Sequence, residues 1–312
     1  MNVRLFIPLT CAAALGLAAC SGTSSGAPEV LRQISGTSGQ SSSWMLREAA
    51  TENLLYVSDI GTNEVDVYPY PSGSLVGKLT GFGSVAGLCA NKTGDVFVVD
   101  EAGPVQVFAH GGTSPLRKLT ASGAPYGCAI DPTTGNLALT NLSSYLYGTI
   151  AIYPKANGRP KEYPDASVDS TFFCAYDTHG NLFVDGWNRS ADPILLKLAK
   201  NGKQFGTPYN LNSNDKNPTG VQWDGKYVAV GNRGSGVVYR IDGSTGKTVQ
   251  TITLKNAPNV EQFWLDGSTL IGPNFQVNGS VGYWHYPAGG TATKTLSSFS
   301  EPFGTTISLA KR

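Results

Sequence analysis

From about residue 50 onward the chain repeats itself, and this constrains its fold more than any other feature. A short apolar run that closes on a turn residue occurs six times: Leu55-Tyr-Val-Ser-Asp59, Val96-Phe-Val-Val-Asp100, Leu137-Ala-Leu-Thr-Asn141, Leu182-Phe-Val-Asp-Gly186, Val228-Ala-Val-Gly-Asn232 and Leu270-Ile-Gly-Pro-Asn274. Their last residues are spaced by 41, 41, 45, 46 and 42 positions. A period of this length marks stacked supersecondary units, none of which buries its apolar surface alone.

Each unit carries four strand signals. An opening phrase precedes the apolar run, as in Tyr126-Gly-Cys-Ala-Ile-Asp131, Phe172-Phe-Cys-Ala-Tyr-Asp177 and Thr219-Gly-Val-Gln-Trp-Asp224. A third run alternates and ends in proline, as in Val65-Asp-Val-Tyr-Pro69 and Ile150-Ala-Ile-Tyr-Pro154. A glycine-containing turn such as Gly243-Ser-Thr-Gly246 then leads to a polar fourth strand, suited to an outer edge. Four strands per unit of about forty residues is the pattern of a propeller blade, so the expected fold is all-β, a six-bladed β-propeller. The first unit lacks its opening phrase, and a spare copy, Phe303-Gly-Thr-Thr-Ile-Ser308, stands near the C-terminus. That strand is expected to close the first blade.

These phrases resemble the NHL-repeat propellers, through Ala124-Pro125-Tyr126-Gly127 to Asp131, Pro218-Thr219-Gly220 to Asp224, and Leu55-Tyr-Val-Ser-Asp59 with Asn63 and Val65. The resemblance spans roughly residues 50–310 and implies architecture, since propellers host receptors, scaffolds and enzymes alike.

The N-terminus points to a compartment. Arg4 precedes an apolar run from Leu5 to Ala19, the pattern of a secretory signal peptide and too short for a membrane span. Leu17-Ala-Ala-Cys20 resembles the bacterial lipobox, which implies cleavage before Cys20 and acylation of its thiol. The Ser- and Gly-rich tract that follows cannot bury enough apolar surface to order itself, and about 25 such residues reach roughly 25 to 30 Å. The expected organisation is a lipoprotein signal peptide at 1–19, a lipidated flexible tether at 20–45 and the propeller at 46–312. This places the protein in the bacterial cell envelope, in the periplasm or at an extracytoplasmic membrane surface, with Ser21 resembling an outer-membrane delivery signal. The lipid bilayer is then a partner through Cys20.

The chain has 23 Lys and Arg against 22 Asp and Glu. Loss of Arg4 with the signal leaves it balanced, without the basic face that nucleic acid requires.

Cys89, Cys128 and Cys174 recur in the opening phrases. Cys128 and Cys174 align with Val221, Phe263 and Thr305, a packing column, whereas either Leu88 or Cys89 could occupy it in the second blade. Blades diverge from the axis, so three free, buried thiols are expected.

The ring of Asp59, Asp100, Asn141, Asn232 and Asn274 reads as turn caps. His110, His179 and His285 fall at different blade positions, which argues against a His-based metal or nucleophile site. Gly22-Thr-Ser-Ser-Gly26 lies in the tether, without the strand and helix of a nucleophile elbow.

Two candidate sites remain. Asp169, Asn217, Asn259, Glu261 and Glu301 precede or start opening strands, so they gather at one channel mouth, where oxygen ligands suit a divalent metal such as calcium. The set resembles that of gluconolactonase and paraoxonase-like propellers, with Glu301-Pro302-Phe303-Gly304 a partial match, and the resemblance implies a metal-dependent lactonase or hydrolase. The second candidate is a binding face on the loops at that end, with Tyr145, Tyr147, Trp187, Asn188 and Arg189 as aromatic and cationic anchors. The primary expectation is a membrane-anchored binding or scaffolding module for a small molecule or protein rather than an enzyme, with the hydrolase as the alternative.

Overall fold

The computed structural model describes residues 42–311 except 72, 122, 143–147 and 212–216. Cys20, Tyr145 and Tyr147 lie outside the described residues.

Six antiparallel sheets surround an axis, as expected for the six-bladed propeller. Blade 1 runs outward from the axis through Pro302–Ser308, Leu54–Asp59, Glu64–Pro69, Gly77–Leu79 and Trp44–Met45. Its inner strand therefore comes from the C-terminus: Leu54 to Asp59 pair with Ser308 to Pro302. The inner strands of blades 2 to 6 are Val85–Ala90, Pro125–Ile130, Val168–Tyr176, Pro218–Trp223 and Trp264–Asp266. Blade 1 has a fifth, outermost strand, Trp44–Met45, paired with Lys78 and Gly77. This strand falls within the stretch 20–45 assigned to the tether.

Each second strand carries a buried apolar run because both faces of every blade are covered. Alternate residues pack on opposite neighbours. Leu54 and Tyr56 meet Leu88, Val96 and Val98 of blade 2, whereas Leu55 and Val57 meet Ile271 and Val281 of blade 6.

This alternation corrects the expectation of three free thiols. Cys89 and Cys128 form a disulfide with their Cα atoms 5.7 Å apart, and Cys174 is the free, buried cysteine among the described residues. Inner strands converge at the axis, so adjacent ones lie within disulfide reach. Register settles which residues meet. Leu88 opposes Val98 as Cys128 opposes Leu139 and Cys174 opposes Val184, so Leu88, not Cys89, shares their column. Cys89, one residue on, faces the other way, toward blade 3. Cysteines in one column turn the same way around the ring, whereas a pair offset by one turns face to face.

Candidate functional site

Three layers of inner-strand residues build the upper mouth of the channel, where those strands begin. The outermost holds Phe303, Ala86, Tyr126, Phe172, Thr219 and Glu261 in blades 1 to 6. The next holds Gly304, Gly87, Gly127, Phe173, Gly220 and Gln262, and below it lies the cysteine column.

Four glycines in the middle layer leave room that two large side chains fill. Gln262 crosses the axis from blade 6 to blade 2, where its Oε1 accepts the Leu88 N–H at 2.7 Å and its Nε2 donates to the Leu88 carbonyl at 2.7 Å. A Cβ on Gly304 would stand 2.6 Å from Gln262 Oε1, and one on Gly127 would stand 2.9 Å from the Phe173 ring. Gly220 also has φ of 47°, a conformation side chains disfavour, at an irregularity in its strand. Aromatic rings close the mouth above. Tyr126 lies 5.2 Å from Phe173 and 5.2 Å from Phe303, Phe275 lies 5.9 Å from Phe303, and Trp187 meets Phe172 edge-on at 4.9 Å.

Set among these rings are two buried carboxylates. Glu261 Oε1 accepts a hydrogen bond from Arg233 Nη1 at 2.8 Å, and Arg233 lies over the Phe275 ring. Burial pushes the Glu261 carboxyl up to about 7, with Arg233 opposing the shift. Asp185 Oδ1 accepts the Phe173 N–H at 2.6 Å, while Oδ2 is buried without a partner. Burial raises Asp185 to about 8, opposed by the Phe173 N–H and reinforced by the charge of Glu261. Equivalent positions carry neutral hydroxyls doing the same work: Thr140 accepts the Gly127 N–H and Ser58 the Gly304 N–H.

The expected metal-site residues are distributed around this end. Glu261 is buried and held by Arg233. Asn217 lines the same small cavity, of about 40 Å³, and its carbonyl accepts the Arg233 N–H. Asn259 binds through its backbone to Asn274 Oδ1 and the Phe275 N–H. Asp169 is exposed and accepts from Ser170 Oγ at 3.0 Å. Glu301 is half-buried, with its backbone N–H on Asp59 Oδ1. Among the described residues no three of His, Cys, Asp or Glu converge as a metal-ligand set.

On the expected binding face, Arg189 is exposed and its Nε donates to the Ala166 carbonyl at 2.7 Å. Trp187 is half-buried, and Asn188 Oδ1 caps its own turn by accepting the Ser190 and Asp192 N–H groups. In the Asp/Asn ring, Asp59 and Asp100 cap their own turns through the Gly61 and Ala102 N–H groups, and with Asn274 they hold the incoming connection. Asp59 takes the Ser300 and Glu301 N–H groups, Asp100 those of Gly83 and Ser84, and Asn274 that of Asn259.

Tyr126, Arg233, Asp185 and the aromatic plug were not singled out by sequence reasoning. An aromatic residue ahead of glycine at Tyr126-Gly127 and Phe303-Gly304 is the signal that marks the plug layer. Nothing local marks Arg233 as the partner of Glu261, 28 residues away in a neighbouring blade.

No protein-family model matches the chain, and no curated protein matches it. Solved structures do. A chain in the crystal structure of a nidogen/laminin complex superposes with a TM-score of 0.67 at 16% identity, covering 83% of this chain and 100% of that one. A protein of unknown function from Bacteroides caccae superposes with a TM-score of 0.64 at 14% identity, covering 83% and 99%. At these identities the likeness is one of fold.

Proposed function

We propose that the protein is a binding or scaffolding module held at an extracytoplasmic membrane surface by acylated Cys20, and that it engages a protein partner through the upper face around Trp187, Arg189 and the plugged mouth. The observation that carries this reading is the closure of the mouth. Among the described residues, aromatic rings and Arg233 pack into it, and the cavity beside Glu261 and Arg233 measures about 40 Å³, room for a few waters but not for an organic substrate. A patch rich in aromatic and arginine side chains has the composition of interface anchors. The Cys89–Cys128 disulfide supports an oxidising location outside the cytoplasm. The hydrolase reading is disfavoured because Glu261, one of its five candidate ligands, is engaged by Arg233.

Two measurements test the reading. Radiolabelled palmitate should enter the wild type and not Cys20→Ser, which should move to the soluble fraction. A photo-crosslinking residue at position 189 should yield one discrete adduct in cells, and one at the outer-rim Val249 should not. Lactone turnover that needs a divalent metal and disappears in Glu301→Gln would replace this reading with the enzymatic one.

A further inference from the structure

The opposite end of the channel, where the inner strands end, is open. A cavity of about 210 Å³ lies there between blades 2 to 6, with Tyr176, Trp223, Trp264 and Gln222 in its walls. It adjoins a second cavity of about 310 Å³ between blades 2 and 3, the two sharing Ala90, Ile130 and Pro132. The second part is cationic, with Lys92, Arg117 and Lys155 in its lining, none of them ion-paired among the described residues.

We propose that this lower mouth binds a short acidic oligosaccharide, with one ring against Trp223 and Trp264 in the central cavity and the carboxylate of a neighbouring ring toward Lys92 and Lys155 in the adjoining one. Indole faces suit the apolar face of a pyranose, and the central cavity holds one such ring. Trp223 is held rigidly because Phe183 stacks on it at 5° and 6.3 Å. The Gln222 amide, part-exposed in the wall, offers both a donor and an acceptor to sugar hydroxyls. The acids in the lining do not neutralise the cations at close range, because both carboxylates turn into their own loops. Asp131 accepts from the Thr133 N–H and from Thr133 and Thr134 hydroxyls, and Asp177 accepts from the His179 and Asn181 N–H groups. The Cys89–Cys128 disulfide ties blade 2 to blade 3 in the cavity wall, so the site is pre-formed. An aryl carboxylate would satisfy the lysines but could not use the Gln222 amide, so the hydroxylated ring gains hydrogen bonds that the aryl ring lacks. This site is on the face opposite Trp187 and does not depend on the function proposed above.

The test is a titration of the full-length protein with galacturonate and its short oligomers, followed by tryptophan fluorescence, alongside glucose oligomers and benzoate. A saturable change with the uronates alone is expected. Lys92→Glu combined with Lys155→Glu, both exposed positions, should weaken binding by about tenfold or more with an unchanged unfolding temperature. Gln222→Ala should narrow the preference for galacturonate over benzoate. The proposal is overturned by the absence of saturable binding, by glucose or benzoate binding as tightly, or by full affinity in the lysine double variant.

Discussion

A single residue's parity decides whether two cysteines in this fold can pair. Cys174 faces blade 3, where Ala129 occupies the position equivalent to Cys89: Cys89 opposes Phe97 as Ala129 opposes Ala138. Ala129→Cys should therefore form a second disulfide with Cys174, read as a 129–174 cross-linked peptide by mass spectrometry. Two free thiols at those positions after oxidation would show the blade-to-blade register to be wrong. Asp185 carries the pH prediction. Its carboxyl shifts from 3.8 to about 8 on burial, and Glu261 shifts upward to about 7, so the folded chain holds protons the unfolded chain has released. Their contribution is fully present below about pH 4 and is lost as pH rises through 7 to 8. Asp185→Thr keeps an acceptor for the Phe173 N–H, as Thr140 does in blade 3, and removes the charge. It should raise the unfolding temperature at pH 8.5, by about 2–4 °C for each kcal/mol regained, with a smaller gain at pH 5. Equal gains at both pH values would count against a buried charge as the cause.

The inner strand was the element most legible in the sequence and also the one read least completely. Its spacing and its packing column followed from the opening phrases, because repetition aligns blades without any knowledge of contacts. The middle layer was not legible, since Gln262 reads as an ordinary polar strand residue until its partner, Leu88, is brought across the axis from 174 residues away. The same applies to Arg233 with Glu261 and to Cys89 with Cys128: each pair joins different blades, and no local pattern names the partner. Gln262 stitches three blades, lying over Gly304 of blade 1 while binding blade 2. Gln262→Ala leaves a buried N–H and a buried carbonyl of Leu88 without partners, at a cost of roughly 2–4 kcal/mol. Gly304→Ala, which pushes a methyl group into the Gln262 amide, should cost about 1–3 kcal/mol. The two effects should be less than additive in the double variant, because the clash disappears with the side chain it strikes. Denaturant unfolding of the three variants measures this, and strict additivity would mean that Gln262 and Gly304 act separately.

At the scale of the whole molecule, stability depends on closing the ring. The strand Pro302–Ser308 is buried along its length and supplies blade 1 with its axial edge, and Ala310 donates its N–H to Asn53 Oδ1, which puts the end of that strand beside the start of Leu54–Asp59. Without it, the edge of Leu54–Asp59 and the facing sides of blades 2 and 6 would be open to water. Truncation after Ser298 should therefore abolish a single cooperative unfolding transition rather than lower its midpoint slightly. A second variant separates loss of closure from loss of apolar surface: residues 299–311 moved ahead of Thr51 by a short linker, without the segment before it. Its strand would enter blade 1 through an inner-to-second-strand hairpin, as the inner strands of blades 2 to 5 do. The permuted chain forgoes the outermost pair Trp44–Met45 and the turn Arg47–Ala50 with its buried Ala49, so it should recover a single cooperative transition, with a midpoint below the parent's. If truncated and permuted chains unfold alike, the C-terminal strand matters for its position at the chain end rather than for the sheet it completes.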